Sequence, residues 1–244
     1  MTTRARYRTG MIEYFETATQ ERVGNVAALG FYDDFYGKAI DTTFTWTAID
    51  VSAVGLTTPV LIADSATAGA CGLVSLPLDA TSEAQETGLT WGDQRTLVLN
   101  AGVQFECRLA YHTLPTTLGI AVFGLAADKN AVADSVTESI WFRSDASGAI
   151  TVENDDTGAG ETSKVATGIT MVADVFHIFR IDCTTPTAIQ FFIDGNRVAT
   201  ATTFSMAAAA AALKLQPYFH LAKASGTGIG EIYLDYCRAW QNRV

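Results

Sequence analysis

The chain has 244 residues, 48% of them hydrophobic and 17% charged, and a formal net charge of −10. It holds ample material for a core, and its acidity excludes nucleic acid as the main partner, because phosphate contacts need clustered Lys and Arg. Few charges and a positive mean hydropathy fit a protein that buries surface against neighbours.

The first 27 residues differ from the rest. Arg4, Arg6 and Arg8 precede Gly10, and the stretch from Met11 to Val26 alternates weakly. An extended arm is expected over 1–27, with a short helix around 13–21. The arm is basic on an acidic body, so Arg4, Arg6 and Arg8 are candidates for docking on an acidic neighbour. No apolar h-region follows Met1–Arg8 and no apolar run approaches the length of a membrane span. The expectation is synthesis in a cytosol, without a membrane partner.

From residue 28 the chain reads as one domain, 28–244, with strands at sandwich-like spacing. Segments 30–35, 43–49, 60–63 and 72–77 come first. Segment 97–100 leads into 103–111, where Val103, Phe105, Cys107, Leu109 and Tyr111 alternate with polar or small residues. That is the period of a half-buried strand. Segment 119–124 is almost continuously apolar, and 139–143 with 149–153 forms a hairpin. Segments 213–221 and 230–240 close the domain. The alanine-rich 206–212 reads as a small-residue connector that lies close against a neighbour. Of the four cysteines, Cys71, Cys107, Cys183 and Cys237, no two form a Cys-x-x-Cys pattern. Buried, reduced thiols are expected.

The most specific stretch runs from Phe176 to Val198. Phe-His-Ile-Phe-Arg-Ile-Asp is followed by a polar break, then Ile-Gln-Phe-Phe-Ile-Asp-Gly-Asn-Arg-Val. An Asp-Gly pair between apolar runs is a hairpin signal, because Gly tolerates the positive φ that tight turns need. Near the ends stand Phe31-Tyr-Asp-Asp-Phe35 and Ile232-Tyr-Leu-Asp-Tyr-Cys237. With the meander, these segments resemble the concanavalin-A-like lectin/glucanase jelly roll, which laminin-G-like domains also use. The resemblance covers roughly residues 28–244. It implies an all-β, antiparallel jelly-roll sandwich whose first and last strands lie side by side. It does not by itself imply a function.

The glucanase branch of that fold carries Glu-x-Asp-x-x-Glu on one strand, so that alternation aims the carboxylates at one cleft. The nearest match here is Glu153-Asn-Asp155-Asp156, without the third carboxylate and entering a Thr-Gly-Ala-Gly turn. It reads as a loop, and no enzymatic activity is expected. His112, His177 and His220 show no zinc spacing, and His177 is expected to bond the backbone. No nucleophile elbow is present, and the glycines from 226 to 230 read as a hairpin loop. Relatives often bind calcium with carboxylates, which makes Asp33, Asp34 and Asp235 the calcium candidates, with no other cofactor expected. A lectin-like role would use exposed aromatics, with Trp46, Trp91 and Trp141 as candidate glycan contacts and Trp240 beside them.

The chain also resembles head or tail accessory proteins of tailed bacteriophages that use this sandwich. That resemblance implies a structural virion protein, a capsid decoration or cement protein that binds between capsid subunits. Its partners would be the major capsid protein or other virion subunits, and it would be a homo-oligomer, with a trimer as the analogy. The alternative is a carbohydrate-binding, lectin-like module on a virion or cell surface. A glycoside hydrolase is a weaker alternative.

Overall fold

The computed structural model describes residues 3–8, 11–16, 29–37, 39–43, 45–62, 72–156, 162–207, 209 and 213–242, with backbone alone at 3–16, 29 and 163. Eighteen strands are present among them: β1 (Thr3–Arg8), β2 (Met11–Glu16), β3 (Leu29–Asp33), β4 (Thr47–Val51), β5 (Val60–Ile62), β6 (Leu73–Leu78), β7 (Gln85–Thr90), β8 (Leu97–Val98), β9 (Gln104–Thr113), β10 (Gly119–Ala126), β11 (Glu138–Asp145), β12 (Ala149–Asp156), β13 (Thr162–Thr170), β14 (His177–Asp182), β15 (Gln190–Ile193), β16 (Asn196–Val198), β17 (Lys214–Lys223) and β18 (Gly230–Gln241). No described helix is long and apolar enough to cross a membrane.

Two antiparallel sheets form the expected jelly-roll sandwich. The first runs β13-β12-β11-β10-β17-β7-β4, with β8 also on β17. The second runs β16-β15-β14-β9-β18-β6-β5, with β3 also on β18. The first and last strands of the domain meet as the resemblance implied. Strand β18 is 12 residues long. Along one edge it pairs with β9, and along the other it serves β6 and then β3. Its register against β9 shifts between Leu234 and Tyr236, a bulge that leaves Asp235 unopposed.

The meander β14-β15-β16 closes on a two-residue turn. Asp194 and Gly195 both have positive φ, 51° and 78°, and Ile193 faces Asn196 across them. That is the primed geometry whose twist matches the flanking strands.

The core lies between the sheets and is rich in aromatic edges. Phe179 meets Phe123 and Phe142 edge-on at 4.8 and 5.0 Å, and Phe142 passes to Phe191 and Phe204. At the opposite end Trp46 meets Phe31, Phe35 and Phe219. Phe105, Cys107, Leu109 and Tyr111 all belong to the core, as their alternation implied. Cys107, Cys183 and Cys237 are free and buried, while Cys71 lies outside the described residues.

Several expectations are corrected. The helix around 13–21 is not formed where it is described, since residues 13–16 belong to β2, paired with β1 in full register. Residues 17–21 lie outside the described set, as does most of 206–212. The second segment of the domain starts later, at Thr47 rather than 43. The 226–230 loop is not a hairpin, because β17 and β18 belong to different sheets and the loop carries the chain across the sandwich. Strands β7 and β13 were not expected. Glu153 to Asp156 stand within strand β12 and not in a loop.

Candidate functional site

The polar concentration of this molecule lies on the outer face of the first sheet. It starts from alternation. In β11 the side chains of Ile140 and Phe142 enter the core, so Trp141 and Arg143 face outward. In β12 Ile150 and Val152 enter the core, so Thr151, Glu153 and Asp155 face outward. Register sets Trp141 against Glu153 and Arg143 against Thr151.

The segment 127–137, between β10 and β11, folds back over this face. Ala133 and Val136 pack there on Val122, Ala126, Trp141 and Tyr218, a small apolar cluster separate from the core. Burial under this segment explains why Arg143, on an outer face, is only 1% exposed. Its guanidinium spreads over three carboxylates. It bonds Asp134 of the overlying segment, donates from Nε to Asp145 at 2.7 Å, and stands 3.2 Å from Glu153. Trp141 Nε1 donates to the same Glu153 oxygen at 2.5 Å. Lys164 extends the network, 2.8 Å from Asp145.

Burial alone would lower the Arg143 pKa, but its bonds to Asp134 and Asp145 and the charge of Glu153 outweigh that and hold it raised. The bond from Arg143 draws Asp134 below the ordinary carboxylate range. The outcome is asymmetric. The cation is sealed in, while the Asp134 and Asp145 side chains stay 60% and 38% exposed. Two accessible carboxylates are held in place by one hidden guanidinium.

A second polar group adjoins it on β7 and β17. His220 Nε2 lies 3.2 Å from Glu86, and Lys129 of the 127–137 segment lies 2.5 Å from the same carboxylate oxygen. The bond from His220, helped by Lys129, brings Glu86 down to about 2 against its desolvation. Gln216, fully buried, accepts from the Trp91 and Asp93 backbone and donates to Asp93 and to the Ala127 carbonyl. The overlying segment is therefore fastened at both ends.

The expected site residues fall in different places. Trp46 is 1% exposed, with its Nε1 bonded to Asp33. Trp141 is sealed under the 127–137 segment. Trp91 packs edge-on against Phe31 at 5.0 Å. None of these three rings stands out as a platform for a sugar, because each completes a packed layer. Trp91 and Trp240 are both half-buried, Trp240 on the outer face of the second sheet. The calcium candidates are engaged elsewhere. Asp33 accepts from Trp46 and from the Phe35 backbone, Asp34 from the Tyr36 backbone, and Asp235 pairs with Arg108 at 2.5 Å. Among the described residues no group of three or more His, Cys, Asp or Glu is placed to hold a metal. His177 bonds the Asp194 carboxylate at 2.6 Å and not the backbone. Arg4, Arg6 and Arg8 occupy alternate positions of β1.

On β12, Glu153 and Asp155 share the outer face, and Asp156 faces the other way.

No family model matches this chain, and no curated protein matches it. Solved structures do. One belongs to work on endo-acting O-glycanases that prominent members of the human gut microbiota express to initiate mucin breakdown: TM-score 0.59, 11% identity, covering 87% of this chain and 99% of that one. A glycoside hydrolase family protein from Mycobacterium thermorestibile matches with TM-score 0.57 and 16% identity over 86% and 99%. The carbohydrate recognition domain of Emp47p matches with TM-score 0.56 and 8% identity over 88% and 95%. The fold is thus the concanavalin-A-like lectin/glucanase fold. The expectation that the chain is not an enzyme is overturned by these likenesses, since glycan-cleaving proteins carry this fold over nearly their full length.

The residues that organise the polar face were missed in the sequence. A signal existed in β17, where Gln216, Tyr218 and His220 alternate with apolar residues and so mark an outer face. Arg143 gave none, because its partners Asp134 and Glu153 are set by the fold.

Proposed function

We propose that the chain is a carbohydrate-binding domain that meets its glycan at Asp134 and Asp145 on the outer face of the first sheet. One observation carries this reading: a fully buried guanidinium holds two solvent-accessible carboxylates fixed. Carboxylates are pure acceptors, and sugar hydroxyls are donors that such fixed acceptors bind without further ordering of the protein. The likeness of the fold to a carbohydrate recognition domain and to glycan-cleaving proteins supports the same reading.

The test is a broad glycan array with the full chain, followed by calorimetry on any hit. Asp134→Asn with Asp145→Asn is expected to weaken binding about tenfold or more, the scale of charged hydrogen bonds. The same glycans are assayed for new reducing ends, since this fold also serves hydrolases. Silence across the array refutes the reading.

A second reading is a structural virion protein, a capsid decoration subunit of a tailed bacteriophage. It is favoured by one feature. Val54 and Leu56 are 82% and 73% exposed in the loop between β4 and β5. That loop is clamped by Glu83, which accepts from the Ala53, Val54 and Gly55 backbone, and by Asp79, which accepts from Leu56. A rigid apolar loop suits contact with a shell subunit. Mass spectrometry of purified virions tests it.

A further inference from the structure

The outer face of the second sheet carries one straight row of side chains across six strands. Register runs from Arg197 on β16 to Phe192, Arg180, Glu106, Arg238 and finally Tyr32 on β3, each directly opposite the next. Their strand neighbours Ile193, Phe191, Phe179, Ile181, Phe105, Cys107, Cys237 and Ala239 enter the core, which leaves this row facing out. Tyr32 is 50% exposed, Arg197 is exposed, Phe192, Arg180 and Arg238 are half-buried, and Glu106 is buried, bonded by Arg238 and by the Tyr236 hydroxyl.

Taken from either end, the row is its own complement. A two-fold axis lying in the interface plane, parallel to the strands and over the midpoint between Arg180 and Glu106, sets Arg197 against Tyr32, Phe192 against Arg238, and Arg180 against Glu106. Every pairing is then a cation on an aromatic ring or a cation on a carboxylate. We infer that this face joins two copies of the chain in an isologous, two-fold dimer, the arrangement that closes on itself. The inference is independent of sugar binding.

The geometry allows it. Facing sheets lie about 10 Å apart and cross near −30°. The row spans about 24 Å at the usual strand spacing. Its ends therefore shift by about 6 Å from perfect overlap, within the reach of an arginine. The charges can be buried together. Arg108 is met within its own chain by Asp235, Arg180 by Asp182, and Arg238 by Glu106. Covering these guanidinium groups strands no charge. Arg238 also lies over Trp240, and Arg180 over Phe192, at 5.1 and 5.0 Å. Tyr, Trp and Arg are the residues that dominate binding energy at protein interfaces.

Sedimentation equilibrium of the full chain is expected to show a dimer at about 100 µM. Arg197→Glu and Tyr32→Arg are each expected to weaken association about tenfold. Combined in one chain they restore it, because opposite charges again meet across the axis. Circular dichroism confirms that each variant is folded. A wild-type chain that stays monomeric overturns the inference. So does a dimer that both single substitutions leave unchanged, or one that Leu56→Glu abolishes in their place.

Discussion

Arg143 in β11 and Asp134 in the preceding segment form an ion pair in which the cation is sealed and the anion faces solvent. The strand thereby holds down the loop that covers it. Removing the cation would leave Glu153, whose side chain is only 9% exposed, without its positive partner. Breaking a buried pair from one side costs about 3–5 kcal/mol. Arg143→Ala is therefore expected to lower the urea midpoint steeply, whereas Asp134→Asn, at the exposed end, is expected to cost about 1 kcal/mol or less. Equal losses from the two would contradict the sealing of Arg143 beneath the 127–137 segment.

Acid should loosen the molecule over a defined window. Glu86 has a folded value of about 2 against an ordinary 4.5. A depressed carboxylate contributes stability that is fully present above its unfolded value and is lost as pH falls through the folded one. Glu83 and Asp79, which clamp the 53–56 loop, are shifted in the same direction, chiefly by the bond from Gln85. The melting temperature is expected to fall from about pH 4.5 towards pH 2. Glu86→Gln should flatten part of that slope while lowering stability at neutral pH.

Cys107 and Cys237 face each other across β9 and β18. Burial raises both thiols well above their ordinary value, and it raises Cys183 as well. Thiolate is the reactive form. In a Cys71→Ser background, a thiol reagent should therefore label nothing until denaturant is added, and then all three remaining thiols. Rapid labelling of the native chain would show that the sheet opens there.

Gly88 marks a close approach of β7 to β17. A Cβ at Gly88 would sit 2.1 Å from the Phe219 carbonyl oxygen, which is backbone and cannot rotate away. Gly88→Ala should destabilise by about 1–3 kcal/mol or more, as overpacking does. A neutral result by thermal melting would mean that the two strands are further apart than their register implies.

Much of the fold was legible along the chain. The alternation of Val103 to Tyr111 marked β9, and Asp194-Gly195 marked the β15–β16 turn, because both signals are local. Strand β7 was not legible. Gln85-Glu-Thr-Gly has poor strand composition, and it is held as a strand by register with β17 on one side and β4 on the other. Strand β13 was missed for a related reason. It is an edge strand with irregular register against β12, and its alternation rests on two apolar residues, Val165 and Ile169, that pack on the core.

The four tryptophans divide what sequence and tertiary structure each decide. Sequence alone established that each sits in or near an extended segment, and that the segments close into one antiparallel sandwich with adjoining ends. Two-residue periodicity separates one face of a strand from the other, but both faces here carry rings and guanidinium groups. Which face is sealed depends on what lies over it. The 127–137 segment folding onto β11 buries Trp141 and Arg143, whereas the described residues leave Trp240 half open on the other sheet. That outcome rests on contacts between segments far apart in the chain, which only the packed molecule brings together.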